Sequence, residues 1–222
     1  MTYKQEFIEF LVECNALRFG QFELKSGRVA PYFINTGMFD TGAKIQKLGA
    51  YYARAIQEHF GSDFDGIYGP AYKGIPLCIS AAMALSRSGV DKGYVYNRKE
   101  AKTYADKSRV VGMDLTADTR LILVDDVITS GKAIRESLEI LKTCENPAVK
   151  GIVISVNRQE RGKTRENALR EVAKNLGIPI FSIVTITDIK GFLLNREVGG
   201  RIVLDEAMAE KIDQYLKTYG AD

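Results

Sequence analysis

The stretch Leu121-Ile122-Leu123-Val124-Asp125-Asp126-Val127-Ile128-Thr129-Ser130-Gly131-Lys132-Ala133 decides how the rest of the chain is read. Four apolar residues read as a buried strand. Two adjacent carboxylates close it, and a short loop bearing hydroxyls and a glycine follows. Apolar spacing at Ala133, Ile134, Leu138 and Leu141 then predicts a helix, which puts the loop's backbone N–H groups at a helix N-terminus. Those donors have no partner inside the helix and the dipole adds positive potential, so the turn suits an anion such as phosphate. The acids beside it suit hydroxyl donors or a hydrated metal ion. Phosphate on one side and hydroxyls on the other describe a ribose phosphate. Strand alternation sends Asp125 and Asp126 to opposite faces, so the two are expected to do different jobs.

Two other phosphate loops do not fit. A P-loop needs Gly five residues before its Gly-Lys pair and Ser or Thr after it; Asp126 and Ala133 stand there. No G-x-G-x-x-G follows the strand, which excludes the dinucleotide fingerprint. An ordinary strand–turn–helix remains the alternative, and the doublet followed by Thr-Ser-Gly argues against it.

The chain's 222 residues predict a single domain with room for a substantial core. A net charge of +3 is too small to point to nucleic acid. Cys14, Cys78 and Cys144 lack C-x-x-C spacing and read as buried thiols in a reducing compartment. Near the N-terminus, Phe7, Phe10, Leu11 and Cys14 share one face of an amphipathic helix, unlike a signal peptide. No apolar run nears the roughly 20 residues of a membrane span, and a cytoplasmic protein is expected. The lone His59 lies in a last helical turn ahead of Gly61, where a cation complements the dipole. One histidine and no His-Cys cluster exclude triads and zinc sites.

Outward from the acid loop, apolar runs at 66–68, 93–96, 151–156 and 180–184 read as further strands. Helical spacing over 75–86, 133–141 and 165–176 separates most of them, and another helix runs through Ile45, Leu48, Tyr52 and Ile56. Such alternation predicts an α/β fold, a parallel sheet covered on both faces. Tyr94–Tyr96 and Val110–Val111 break the rhythm, because a charged loop joins them; they predict a hairpin or long flap at the sheet edge. Phe22-Glu23-Leu24 and Tyr32-Phe33-Ile34, about a Ser26-Gly27 turn, predict a smaller hairpin.

Ligands of open α/β sheets bind past the carboxyl ends of the strands. Past Tyr68 comes Gly69-Pro70-Ala71-Tyr72-Lys73-Gly74, where glycines permit close approach and Lys73 offers a point charge, together suited to a pyrophosphate. Alone, a Gly-Pro turn is also an ordinary turn. Past Tyr96, residues 97–109 hold five cations against two anions, an excess equal to that of the whole chain. That loop is either a solvated hairpin tip or a lid that excludes water. Past Val156 stands Arg158, whose planar fork grips a carboxylate or carbonyl, or serves structure.

The acid loop resembles the 5-phosphoribosyl 1-pyrophosphate (PRPP) signature of the type I phosphoribosyltransferases, and the whole chain resembles their orotate-using branch. The resemblance implies a parallel sheet flanked by helices, one domain over 1–222, and a hood from about 1–40 plus C-terminal segments. It also implies a flexible catalytic loop at about 98–109. The activity implied is phosphoribosyl transfer from PRPP to orotate with Mg²⁺, in a homodimer whose loop reaches the neighbouring site. By the same resemblance Val127, Ile128, Thr129, Ser130, Gly131, Lys132 and Ala133 cradle the 5-phosphate, and Asp125 and Asp126 face the ribose and the magnesium-pyrophosphate. Tyr72 and Lys73 form the pyrophosphate loop, with a cis peptide at Ala71–Tyr72. Arg98, Lys99, Lys102 and Tyr104 serve PRPP from the loop, and Lys102 acts across the dimer. Lys25, Phe33, Ile34, Thr129 and Arg158 take the base side, Lys25 also touching PRPP.

Many relatives carry a loop His and then Gly where this chain has Tyr104 and Ala105; a phenol of ordinary pKa is a poorer proton donor near neutrality. Ile34 replaces an aromatic of some relatives. A purine-using enzyme of the same family is disfavoured by the Lys25 hairpin and the Arg158 segment. A PRPP-sensing regulator would carry a DNA-binding module, and no basic helix-turn-helix is visible. Fusion to the decarboxylase that follows is disfavoured by the chain's length, and because Leu193 stands where an Asp188-x-Lys190-x-x-Asp motif needs its second acid.

Overall fold

The apolar runs form one six-stranded sheet in the computed structural model, which describes residues 1–24, 27–99, 109–128, 131–162 and 165–221. Its strands are β3 (Gly66–Gly69), β4 (Gly93–Asn97), β5 (Val110–Gly112), β6 (Arg120–Asp125), β7 (Ala148–Asn157) and β8 (Ile180–Thr185). They lie in the order β5-β4-β3-β6-β7-β8, all parallel except β5, which runs antiparallel to β4 at the edge. The expected flap therefore springs from an edge hairpin. Strand order reverses direction between β3 and β6, and the crevice of such a sheet opens at that switch point.

Alternation along β6 explains why helices cover both faces. Leu121 and Leu123 join Tyr68, Val95, Ile134, Leu141 and Leu169 in one core. Ile122 and Val124 join Tyr52, Ile56, Leu77 and Cys78 in the other. Thus α4 (Lys132–Lys142) and α5 (Ala168–Leu176) cover the first face, and α2 (Gly42–Phe60) and α3 (Gly74–Arg87) the second. Each fully buried Leu or Ile contributes about 1.5–3 kcal/mol relative to exposure. Among the described residues no helix is long and apolar enough to cross a membrane.

A second layer forms over the second core. Helix α1 (Tyr3–Glu13) is capped by a Thr2–Gln5 capping box and buries Phe7, Phe10 and Leu11, as its spacing predicts. The hairpin is longer than expected: β1 (Leu17–Glu23) pairs with β2 (Val29–Ile34) from Leu17↔Ile34 to Glu23↔Val29. An irregularity between Phe19 and Phe22 breaks the period-2 signal there, which hides the first half of β1 from a pattern search. Helix α5 starts three residues later than its apolar spacing suggests, because Asn167 caps it by accepting from Leu169 N–H. The chain ends in α6 (Ile186–Leu193), a short hairpin of β9 (Glu197–Val198) and β10 (Arg201–Ile202), and α7 (Glu206–Tyr219), which packs against β2. Cys14 and Cys78 are buried as expected, whereas Cys144 is only partly so.

Candidate active site

The acid doublet sits at the end of β6 beside the switch point, and its backbone is fastened from both neighbours. Tyr52 of α2 donates its hydroxyl to the Asp125 carbonyl at 2.7 Å. Ser155 of β7 donates both its N–H, at 3.0 Å, and its hydroxyl, at 2.6 Å, to the Asp126 carbonyl. The two carboxylates then diverge, as alternation predicts. Asp125 stays under the surface and accepts from Asp126 N–H at 2.9 Å. Burial first, and the adjacent Asp126 charge second, push its carboxyl up to about 7. Asp126 turns toward the second core's side, taking Lys73 Nζ at 2.8 Å and the Thr36 hydroxyl at 2.7 Å.

Two glycines make the flanking loops possible. Gly131 adopts φ +67°, a left-handed conformation that ends the loop and starts α4 without a side-chain cap. A Cβ there would press on the Val172 methyls at 2.9 Å. Lys132 and Ala133 open the helix on the solvent side, and Ile128 packs against the first core. Gly69 lets the chain after β3 fold back on itself, since a Cβ would collide with the Gly74 carbonyl. The intervening loop is anchored by Ala71 N–H donating to Asn97 Oδ1 at 2.8 Å. The Ala71–Tyr72 peptide is cis, where the resemblance puts it.

The other candidate residues lie on loops past the strand ends and on the hairpin. Tyr72 is exposed, and Lys99 Nζ lies 4.6 Å from its ring centroid. Arg98 is half-buried, with a buried Nε that has no hydrogen-bond partner among the described residues. Arg158, past β7, is mostly buried and stands 5.2 Å over the Tyr32 ring. Phe33 stacks on Phe22 (5.4 Å, 26° between planes), while Ile34 packs on the core. Lys25, Lys102, Tyr104, Thr129 and Ser130 lie outside the described residues.

His59 takes a different part from the one its place in the helix suggests. Its ring stacks on Phe181 at 3.9 Å and 11°, and burial lowers its pKa, which favours a neutral ring over a dipole-capping cation. Thr36, Tyr52, Asn97 and Ser155 escaped the reading of the sequence. Asn97 was findable, since it ends β4 on the loop side of the sheet; the others act from elements remote in sequence. Among the described residues no cluster of three or more His, Cys, Asp or Glu side chains forms. The oxygen donors present are two carboxylates and a hydroxyl, a set suited to a hard cation that keeps its waters.

A family model for the Phosphoribosyl transferase domain matches residues 36–186, which span the sheet from the Thr36 turn to the end of β8. The chain is also 47% identical to the orotate phosphoribosyltransferase of Clostridium acetobutylicum, over 98% of both chains. The chain belongs to the orotate phosphoribosyltransferase family. Another member, from Thioalkalivibrio sulfidiphilus, is 45% identical over 99% of each chain. The crystal structure of the Francisella tularensis orotate phosphoribosyltransferase superposes with a TM-score of 0.83 at 36% identity, covering 97% of this chain and 100% of that one. At 16% identity and a TM-score of 0.63, the Mycobacterium tuberculosis enzyme in complex with PRPP shares the fold over 85% of this chain and 99% of its own.

Proposed function

We propose that the chain transfers the 5-phosphoribosyl group of PRPP to orotate, giving orotidine 5′-monophosphate and pyrophosphate in pyrimidine biosynthesis. The observation that carries the reading is the acid doublet, fastened by Tyr52 and Ser155 at the switch point and facing Lys73, in a chain related along its full length to enzymes of that name.

Departure of pyrophosphate leaves a ribosyl cation-like transition state, and orotate is already an anion. The protein must therefore hold the sugar, spread charge over the leaving group and exclude water. Residues 129–133 and the α4 N-terminus hold the 5-phosphate, and Asp126 and Asp125 meet the ribose hydroxyls. Lys73 is 65% exposed in its pair with Asp126, so exchanging that partner for a pyrophosphate oxygen costs little. Tyr72, Arg98, Lys99 and Lys102 complete the pyrophosphate side, with Tyr104 positioning without proton transfer. On the base side, Arg158 supplies its guanidinium charge, beside Lys25, Phe33, Ile34 and Thr129. Asp125 and Asp126 would hold Mg²⁺, which would supply neutralisation of charge on the leaving pyrophosphate. A cytosolic homodimer, with Lys102 reaching the neighbouring site, belongs to the same reading, as does a single domain over 1–222.

Pyrophosphate release is to be measured with PRPP, Mg²⁺ and, in turn, orotate, uracil, hypoxanthine and adenine. Turnover restricted to orotate is expected; turnover with a purine, or none with orotate, would overturn the proposal.

A further inference from the structure

Two residues past Arg158, the Glu160 carboxylate is the hub of contacts from three separate parts of the chain. Its Oε1 accepts from the Tyr32 hydroxyl of β2 at 3.2 Å and from the Tyr215 hydroxyl of α7 at 2.9 Å. The same oxygen lies 2.5 Å from Arg158 Nη2, and Oε2 faces Arg28 Nη1 at 3.8 Å. Only 16% of the Glu160 side chain is exposed. Tyr32 also donates to the Arg158 carbonyl at 3.3 Å, and its ring meets that of Tyr215 edge-on at 6.0 Å and 84°. Burial, then the Glu160 charge, push the Tyr215 phenol up to about 12, so it remains a donor at any working pH. The backbone is laced down as well: Arg161 N–H donates to the Tyr219 carbonyl at 2.8 Å, and Ala221 N–H to that of Gln159 at 2.9 Å.

The geometry of Arg158 is informative because its ion contact with Glu160 is close yet out of hydrogen-bond line. Nε and Nη2 are both buried and have no aligned hydrogen-bond acceptor among the described residues. Glu160 therefore fixes where the guanidinium stands by holding its Nη2. Two phenols hold Glu160 itself, so it cannot follow the arginine if the arginine shifts.

We propose that Glu160 is a positioning residue: it orients the Arg158 guanidinium toward the orotate carboxylate or carbonyl and ties it to the hairpin and to α7. This rests on the assignment of Arg158 to the base side. Loss of one charge-assisted contact predicts a roughly tenfold rise in KM for orotate in Glu160→Gln, with KM for PRPP and kcat within about twofold of wild type. In an Arg158→Ala background the same change should add less than about twofold, since the group it positions is gone. Tyr215→Phe keeps the ring and removes the hydroxyl, and should raise KM for orotate in the same selective way; it carries the test if Glu160→Gln folds poorly.

An unchanged or lowered KM for orotate in Glu160→Gln would overturn the proposal, the latter showing that Glu160 repels the substrate. So would equal losses for both substrates, the mark of a merely structural role. If Arg158→Ala itself leaves KM for orotate untouched, the base-side assignment fails instead.

Discussion

The two halves of the crevice are built by different means. The half proposed to take the sugar phosphate is backbone work: a strand end, a left-handed Gly131, a helix N-terminus, and two carbonyls held by Tyr52 and Ser155. The half proposed to take the base is side-chain work, in which Glu160 joins Arg158 to Tyr32 and Tyr215 from three parts of the chain. A backbone-built site leaves a short contiguous signature, while a site built by side chains is spread along the sequence. The first half should also fail abruptly and for every substrate; the second should fail by degrees and for the base alone.

The sharpest break in that comparison is Asp126→Ala. It removes the carboxylate that takes Lys73 and Thr36, and kcat/KM for PRPP should fall on the order of 10²-fold or more; steady-state pyrophosphate release checks it. Arg158→Lys keeps the charge but loses the fork, so KM for orotate should rise about tenfold while KM for PRPP holds. Tyr52→Phe leaves the buried Asp125 carbonyl without its hydroxyl donor, and should lower unfolding free energy in a urea titration by about 1–3 kcal/mol.

A pH series sharpens the comparison further. Asp125 is raised to about 7 by burial and by Asp126. An unfolded chain would ionise it near pH 4, roughly, so between those values only the folded state keeps the proton. Stability should therefore fall as pH rises through that window and level off above it. Asp125→Asn should flatten this part of the profile, measured as denaturant midpoint against pH. The smallest effect is expected at the far end of the sheet, where Lys150 pairs with Asp63 on the surface. Lys150→Ala should change stability by less than about 1 kcal/mol and leave turnover as it is.

The same contrast explains what could be read in advance. The strands and the edge hairpin follow from local runs of residues, whereas the cis peptide at Ala71–Tyr72 was implied only by the family resemblance. Phe33 and His59 show the limit. Phe33 stacks on Phe22 across a hairpin irregularity that period-2 reading does not reveal, and His59 meets Phe181 from more than 100 residues away. In sequence Glu160 is one of three charges in Arg158-Gln159-Glu160-Arg161, and only the fold, through α7, brings Tyr215 to it. Nothing in the periodicity of α7 marks that tyrosine as anything but core.

The central claim is that the doublet and the start of α4 together clamp a phosphorylated sugar. The direct measurement is a crystal structure of the protein soaked with PRPP and Mg²⁺. The account predicts the 5-phosphate on the backbone N–H groups opening α4 and the ribose hydroxyls within hydrogen-bond distance of Asp125 or Asp126. PRPP bound elsewhere, or an empty turn at saturating ligand, would contradict it.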